Sequence, residues 1–170
     1  MRKLIIVING RGGVGKDSVC DVVAKYYNTI NISSITPIKE VASIIGWDGE
    51  KNEHSRRFLS ELKAVVTRFN DLPNRYLLEQ ARSFLDDSIQ EVLFVQIREP
   101  EEIKHFRDSI SYPTISILIK RKGIGDYDNP SDDNVEEYGY DYIYENDGSF
   151  DKLEEDFIAF FQKICKDSGV

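Results

Sequence analysis

Cysteine is scarce: the 170 residues contain only Cys20 and Cys165. They are far apart and lack metal-ligand spacing, so they read as buried thiols rather than a disulfide or a ligand pair. Long apolar runs are missing too, and nothing approaches the about 20 residues that a helix needs to cross a bilayer. Met1-Arg2-Lys3 followed by Leu4 to Ile8 faintly imitates a signal peptide. Its apolar part is too short and runs into glycines, so the chain reads as cytoplasmic. Positive charge is in deficit, with 22 Lys and Arg against 30 Asp and Glu for a net charge of −8. That balance argues against nucleic-acid polymers and anionic membranes as partners, because either would be repelled outside a local basic site. A small polyanion held in a cleft remains compatible. No internal repeat is visible, the one linker-like stretch is the acidic Asp126 to Glu137, and the length suits a single domain with a real core.

The feature that stands out is Gly10 to Ser18, Gly-Arg-Gly-Gly-Val-Gly-Lys-Asp-Ser. Gly10, Gly15 and Lys16 satisfy the phosphate-loop pattern G-x-x-x-x-G-K, while Asp17 stands where a Mg²⁺-ligating Ser or Thr is expected and Ser18 follows one place later. With Gly at about 7% of residues, the bare pattern arises by chance in about one chain of this length in twenty, so its context decides. Leu4 to Ile8 is an apolar, β-branched run of strand length, and after the loop Val19, Val22, Val23, Tyr26 and Tyr27 recur at helical spacing. A strand, a glycine loop and a helix are what phosphate binding requires. Gly12, Gly13 and Gly15 can take positive φ and turn backbone N–H groups toward oxygens, and the helix N-terminus adds partial positive charge. Gly10, Arg11, Gly12, Gly13, Val14, Gly15, Lys16, Asp17 and Ser18 are therefore the expected nucleotide-binding residues, with Lys16 serving the outer phosphates.

Strands and helices alternate beyond the loop. Ile30 to Ile35, Val92 to Ile97 and Thr114 to Ile119 read as buried strands, and Asp141 to Tyr144 as a short fifth. Between the second and third strands, Phe58, Leu59, Leu62, Val65, Val66 and Phe69 form one helical stripe. Leu72-Pro73-Asn74 breaks it, and Leu77, Ala81, Phe84 and Leu85 form another. Pro100 opens a helix with Glu101 and Glu102 in its first turn and Ile103 and Phe106 facing inward. The last helix starts near Ser149 or Asp151, with a capping box to Glu154, and buries Leu153, Phe157, Phe160, Phe161 and Ile164. This order predicts an α/β fold whose parallel sheet has helices on both faces and whose ligands sit at the carboxyl ends of the strands. The glycine loop, Arg98-Glu99, Lys120-Arg121-Lys122 and Asn146 to Ser149 all lie at such ends.

Gly15-Lys16-Asp17-Ser18, Thr36 to Glu40, Gly46 to Gly49 and Asn146 to Ser149 together resemble the small P-loop kinases. The likeness is greatest to the phage-type deoxynucleoside monophosphate kinases, and weaker to dephospho-coenzyme A kinase at the C-terminal end. The resemblance implies a three-layer P-loop NTPase fold of the nucleotide-kinase kind with a five-stranded parallel sheet. It also implies a core over residues 1–38 and 86–170, a substrate-binding helical insert over about 39–85, and a lid around 120–138. The cofactors it implies are ATP and Mg²⁺. The chain departs from the pattern at Gln96, where phage-type enzymes usually carry an acid two places before the arginine, and in a lid that is acidic beyond Lys122.

Phosphoryl transfer needs positioning and cancellation of charge more than covalent help. Lys16, Arg98 and Arg121 are the expected catalytic cations, the two arginines because a guanidinium fork matches phosphate oxygens. A bare carboxylate about 4 Å from a phosphate costs about 4 kcal/mol at an effective dielectric near 20. Asp17 is therefore expected either to ligate Mg²⁺, with Ser18 as second ligand, or to cap the helix. Among the insert cations Lys39, Arg57 and Arg68 are the substrate-binding candidates, Arg57 and Arg68 lying about three turns apart on one helix. Trp47 is either a base-stacking residue or a packed turn residue, and His54 and His105 read as isolated surface residues. Three functions fit: ATP-dependent phosphorylation of a nucleoside or deoxynucleoside monophosphate; phosphorylation of another small metabolite such as dephospho-coenzyme A; or ATP or GTP binding without turnover, for regulation. Small-molecule nucleotides are the expected partners, and oligomeric state stays open.

Overall fold

Leu4 to Asn9 is buried along its whole length, and its side chains divide between two cores. Leu4, Ile6 and Ile8 pack into one, Ile5 and Val7 into the other. A strand apolar on both faces has to lie inside a sheet covered on both sides. The computed structural model describes residues 3–123, 134–148 and 150–169. In chain order these form β1 (Leu4–Asn9), α1 (Lys16–Ala24), β2 (Thr29–Ser33), α2 (Thr36–Ile44), α3 (Glu53–Asn70), α4 (Leu72–Asp86), β3 (Val92–Gln96), α5 (Pro100–Ser109), β4 (Thr114–Lys120), β5 (Tyr142–Glu145) and α6 (Phe150–Asp167). The five strands form one sheet in the order β2-β3-β1-β4-β5, and every pair is parallel.

Helices α1 and α6 cover one face through Val19, Val22, Val23, Leu153, Phe157, Phe161 and Ile164. Helices α4 and α5 cover the other through Leu77, Ala81, Phe84, Ile103 and Phe106. The expected three layers are therefore present. All five expected strands form, and Pro100 opens α5 with Glu101 and Glu102 in its first turn.

Four local expectations need correction. Helix α1 stops at Ala24, so Tyr26 and Tyr27 lie beyond it. Tyr27 packs on Phe161, whereas Tyr26 is exposed and donates its hydroxyl to Glu154. Helix α6 begins at Phe150, so Asp151 lies inside it rather than at its N-cap, and the Glu154 carboxylate takes Lys25 and Tyr26. Ser149, the other expected start, is outside the described residues. The α3–α4 break falls at Asp71, in the left-handed region at φ 55°, and Leu72 to Asn74 form the first turn of α4. Proline is tolerated there because first-turn N–H groups have no helical partner.

The fourth correction concerns α3. Its apolar stripe is only half covered: Val65 is 53% and Phe69 83% exposed, and Ser55 is its only buried residue. Helix α3 packs chiefly on α2 and α4, so it forms an outer tier beyond the helices that touch the sheet. Among the described residues, no helix is long and apolar enough to cross a membrane.

Candidate active site

The glycine loop leaves the carboxyl end of the central strand and is held from both sides. Asn9, buried at the end of β1, accepts from Gly10 N through Oδ1 at 2.8 Å. Its Nδ2 donates to the Arg98 carbonyl at 2.8 Å and to the Tyr140 hydroxyl at 2.7 Å. Tyr140 in turn donates to the Val135 carbonyl, and burial pushes its phenol up to about 12. On the far side, buried Asn146 donates to the Val14 carbonyl at 2.8 Å, and its own N–H reaches the Lys120 carbonyl at 2.7 Å. Two glycines are obligatory here. Gly10 has φ 150°, and a Cβ there would sit 2.4 Å from the Ile119 carbonyl oxygen; Gly15 has φ 97°, and its Cβ would meet Asn146 Nδ2 at 2.6 Å. Lys16 begins α1, its ammonium 2.5 Å from the Gly10 carbonyl and 2.9 Å from that of Arg11. The Lys16 ammonium thus lies over the loop at the N-terminus of α1, and a strand, a glycine loop and a helix N-terminus in this order suit phosphate.

Asp17 is exposed in the first turn of α1, and its side chain does not cap the helix, whose N-cap is Gly15. Instead Asp17 Oδ1 accepts from Gln96 Nε2 at 2.8 Å, and the same amide nitrogen donates to Asn31 Oδ1 at 3.1 Å. The residue that departs from the kinase pattern therefore braces the residue that replaces the loop hydroxyl. Does this site suit Mg²⁺? The ion takes hard oxygens and is commonly held by one or two carboxylates plus substrate phosphates. The Asp17 carboxylate and the Ser18 hydroxyl beside the loop match that donor set. No group of three or more His, Cys, Asp or Glu able to hold a metal occurs among the described residues, so phosphate oxygens would have to complete the shell.

Arg98 lies two residues beyond Gln96, partly buried, with its carbonyl fixed by Asn9. Arg121 is exposed just past β4. With Arg11, Lys120 and Lys122 it lines a hollow of about 160 Å³ beside Val14. Acids from the neighbouring segments balance these cations: Lys120 pairs with Glu136 at 2.6 Å and Lys122 with Asp147 at 2.8 Å. The Lys122 contact holds the Asp147 carboxyl below its usual range. Of the strand-end segments expected to converge, the loop and Lys120 to Lys122 line this hollow, Asn146 bonds to both, and Arg98 lies outside its lining with its carbonyl tied to the loop through Asn9; the expected lid lies outside the described residues over 124–133.

The insert cations behave differently. Lys39 is exposed on α2, Arg57 is exposed and pairs with Glu61 on its own helix at 2.8 Å, and Arg68 is exposed in the last turn of α3. None of the three lines that hollow or a second one of about 310 Å³ between α3, α4 and α5. A partly buried insert cation is Lys63, which bridges Glu99 at 2.9 Å and Glu102 at 2.7 Å. Burial opposes ionisation of both acids. Lys63 outweighs it at Glu99, whose carboxyl stays below its usual range, while Glu102 is pushed up to about 7. Trp47 is a packed turn residue whose indole N–H donates to Ser55 at 3.1 Å, joining the end of α2 to α3. His54 is exposed as expected. His105 is not isolated: it contacts Asp71 at 2.8 Å and lines the second hollow.

Sequence reasoning passed over Asn9, Asn31 and Tyr140. An asparagine closing an otherwise apolar strand was a usable signal for Asn9; nothing local marks Tyr140.

A glycine loop leaving the middle strand of an all-parallel 2-3-1-4-5 sheet decides the architecture. The chain has a P-loop kinase fold. Solved structures bear this out over nearly the full length. A protein of Chloroflexus aurantiacus assigned as a kinase aligns with TM-score 0.57 and 13% identity over 96% of this chain and 97% of its own. A sugar kinase from Janibacter aligns with TM-score 0.54 and 12% identity over 94% and 95%. The thymidylate kinase of Ehrlichia chaffeensis aligns with TM-score 0.52 and 12% identity over 95% and 100%. No protein-family model and no curated protein matches the sequence.

Proposed function

We propose that the chain is a cytoplasmic enzyme that transfers the γ-phosphoryl group of ATP to a nucleoside or deoxynucleoside monophosphate, in the manner of the phage-type kinases. The observation that carries this reading is the phosphate loop itself, clamped between Asn9 and Asn146 with arginines at the two adjoining strand ends. In this reading Lys16 meets the outer phosphates, Arg98 and Arg121 hold the acceptor phosphate and the moving group, and the α3–α4 region is the acceptor-binding insert. Asp17 and Ser18 are the residues that would hold Mg²⁺, which supplies charge neutralisation between the phosphates. Gln96 supports this by fixing the Asp17 carboxylate with a neutral donor, which leaves its negative charge intact for the ion.

The test is to incubate the protein with Mg-ATP and a panel of nucleoside monophosphates and to look for ADP together with a diphosphate product. Product that depends on one or a few acceptors supports the proposal. ATP binding with no acceptor-dependent product would overturn it in favour of a regulatory nucleotide binder, and product from a dephospho-coenzyme substrate alone would assign a different metabolite.

A further inference from the structure

The hollow beside the phosphate loop contains an anion of the protein's own. Arg11, Lys120, Arg121 and Lys122 bring positive charge to its lining, and Glu136 and Glu145 bring carboxylates. Glu136 spans two of the cations. Its Oε2 lies 2.6 Å from Lys120 Nζ at the end of β4, and its Oε1 lies 3.7 Å from Arg11 Nε in the loop. The second contact is an ion pair too long for a hydrogen bond. Two oxygens of one anionic group thus face a strand-end cation and a loop cation, as two oxygens of a phosphate would.

The backbone holds this carboxylate in place. Val135, just before it, is 1% exposed, and its carbonyl accepts from the Tyr140 hydroxyl at 2.7 Å. That hydroxyl also takes Asn9 Nδ2, so the segment is tied to the residue that receives Gly10 N. Glu137 N closes a turn on the Asn134 carbonyl at 3.1 Å, with Glu136 inside it. Further along, the Tyr138 hydroxyl accepts from Arg107 at 3.1 Å, and its ring packs edge-on to Tyr140 at 5.1 Å between centroids. The anchoring is tight, but the ion pairs are not. The Glu136, Lys120 and Arg11 side chains are 45%, 32% and 37% exposed, and ion pairs that meet solvent to this extent are weak enough for a polyanion to displace.

We propose that Glu136 is a built-in competitor of the nucleotide: its carboxylate holds Lys120 and Arg11 and yields them when a polyphosphate seats on the loop. Competition of this kind weakens binding and hastens release, because the displaced carboxylate returns to its cations as the ligand leaves. Release limits turnover in many enzymes that close over their substrates. The inference rests on the reading of this cleft as a nucleotide site.

Calorimetric titration of ATP and of inorganic tripolyphosphate, both in EDTA so that no metal contributes, compares the wild type with Glu136→Gln and Glu145→Gln. Both probes are expected to bind about fivefold more tightly to Glu136→Gln, the fold-change of one exposed ion pair that no longer has to be broken. Glu145 lines the same hollow but pairs with neither Arg11 nor Lys120 among the described residues. Glu145→Gln therefore removes the same charge without the competing contact, and at physiological salt it is expected to tighten either probe by less than about twofold. Equal or weaker binding by Glu136→Gln, or the same gain from both substitutions, would overturn the inference and leave the nucleotide site standing. No heat from either probe in any of the three proteins would overturn both. If ATP binds but no acceptor yields product, the kinase reading fails, while the gain confined to Glu136→Gln still supports the competitor.

Discussion

The phosphate loop and the α2–α3 region solve opposite problems. Around the loop, backbone position is over-determined: Gly10 is pressed against the β4 backbone, Gly15 against Asn146, Val14 is buried in the core, and Asn9 ties three segments together. In the α2–α3 region the glycines at 46 and 49 also have positive φ, yet a Cβ on either would meet nothing within 4 Å. Ile44 and Phe69 there are 84% and 83% exposed. One region is pressed on by its neighbours and the other is loosely covered.

Substitution at the tight end should do the most damage. Gly10→Ala puts a methyl into the Ile119 carbonyl, so we expect loss of about 3 kcal/mol or more of stability and no measurable ATP binding, read by thermal melting and calorimetry. The paired control is Gly46→Ala. It carries backbone strain alone, about 1–2 kcal/mol, and should leave ATP affinity unchanged; equal damage from both would erase the contrast. Next comes Asp17→Ala, expected to lower Mg²⁺-dependent turnover by about 100-fold while ATP binding without the metal changes little. Unaltered magnesium dependence would remove Asp17 from the metal. Asn9→Ala should then cost about 1–3 kcal/mol, because the Gly10 N–H and the Arg98 carbonyl lose a buried partner. Denaturant melts compared with wild type check it.

The smallest expected effect lies beside the second hollow. Glu102 faces Lys63 and Glu99, with Glu101 and His105 nearby, and burial raises its carboxyl from the usual 4.5 to about 7. A raised folded-state value means the native protein holds the proton more tightly than the unfolded chain. That contribution to stability is complete below pH 4.5 and is lost as the pH climbs toward 7. Glu102→Gln should flatten the fall in melting temperature across that window relative to wild type. An unchanged slope would assign the titration elsewhere.

The same contrast explains what the sequence disclosed. The sheet was legible because strands buried on both faces are continuous apolar runs, as in Leu4 to Ile8, and the loop because positive φ demands glycine at fixed spacing. Helix α3 misled because its stripe has helical spacing, yet it lies in an outer tier where Val65 and Phe69 meet water. Periodicity reports which face is apolar, not how much is laid over it. Lys63 and His105 looked like any other surface charges, since their partners Glu99, Glu102 and Asp71 are brought to them only by tertiary folding. Gln96 read as a missing acid in one dimension. In three its amide donates to the Asp17 carboxylate.

Calorimetric titration of Mg-ATP into the wild-type protein and into Lys16→Ala tests the central claim most directly. The account predicts a saturable heat for the wild type and at least about tenfold weaker binding when the ammonium is removed. No heat from the wild type, or the same affinity in both proteins, would contradict it.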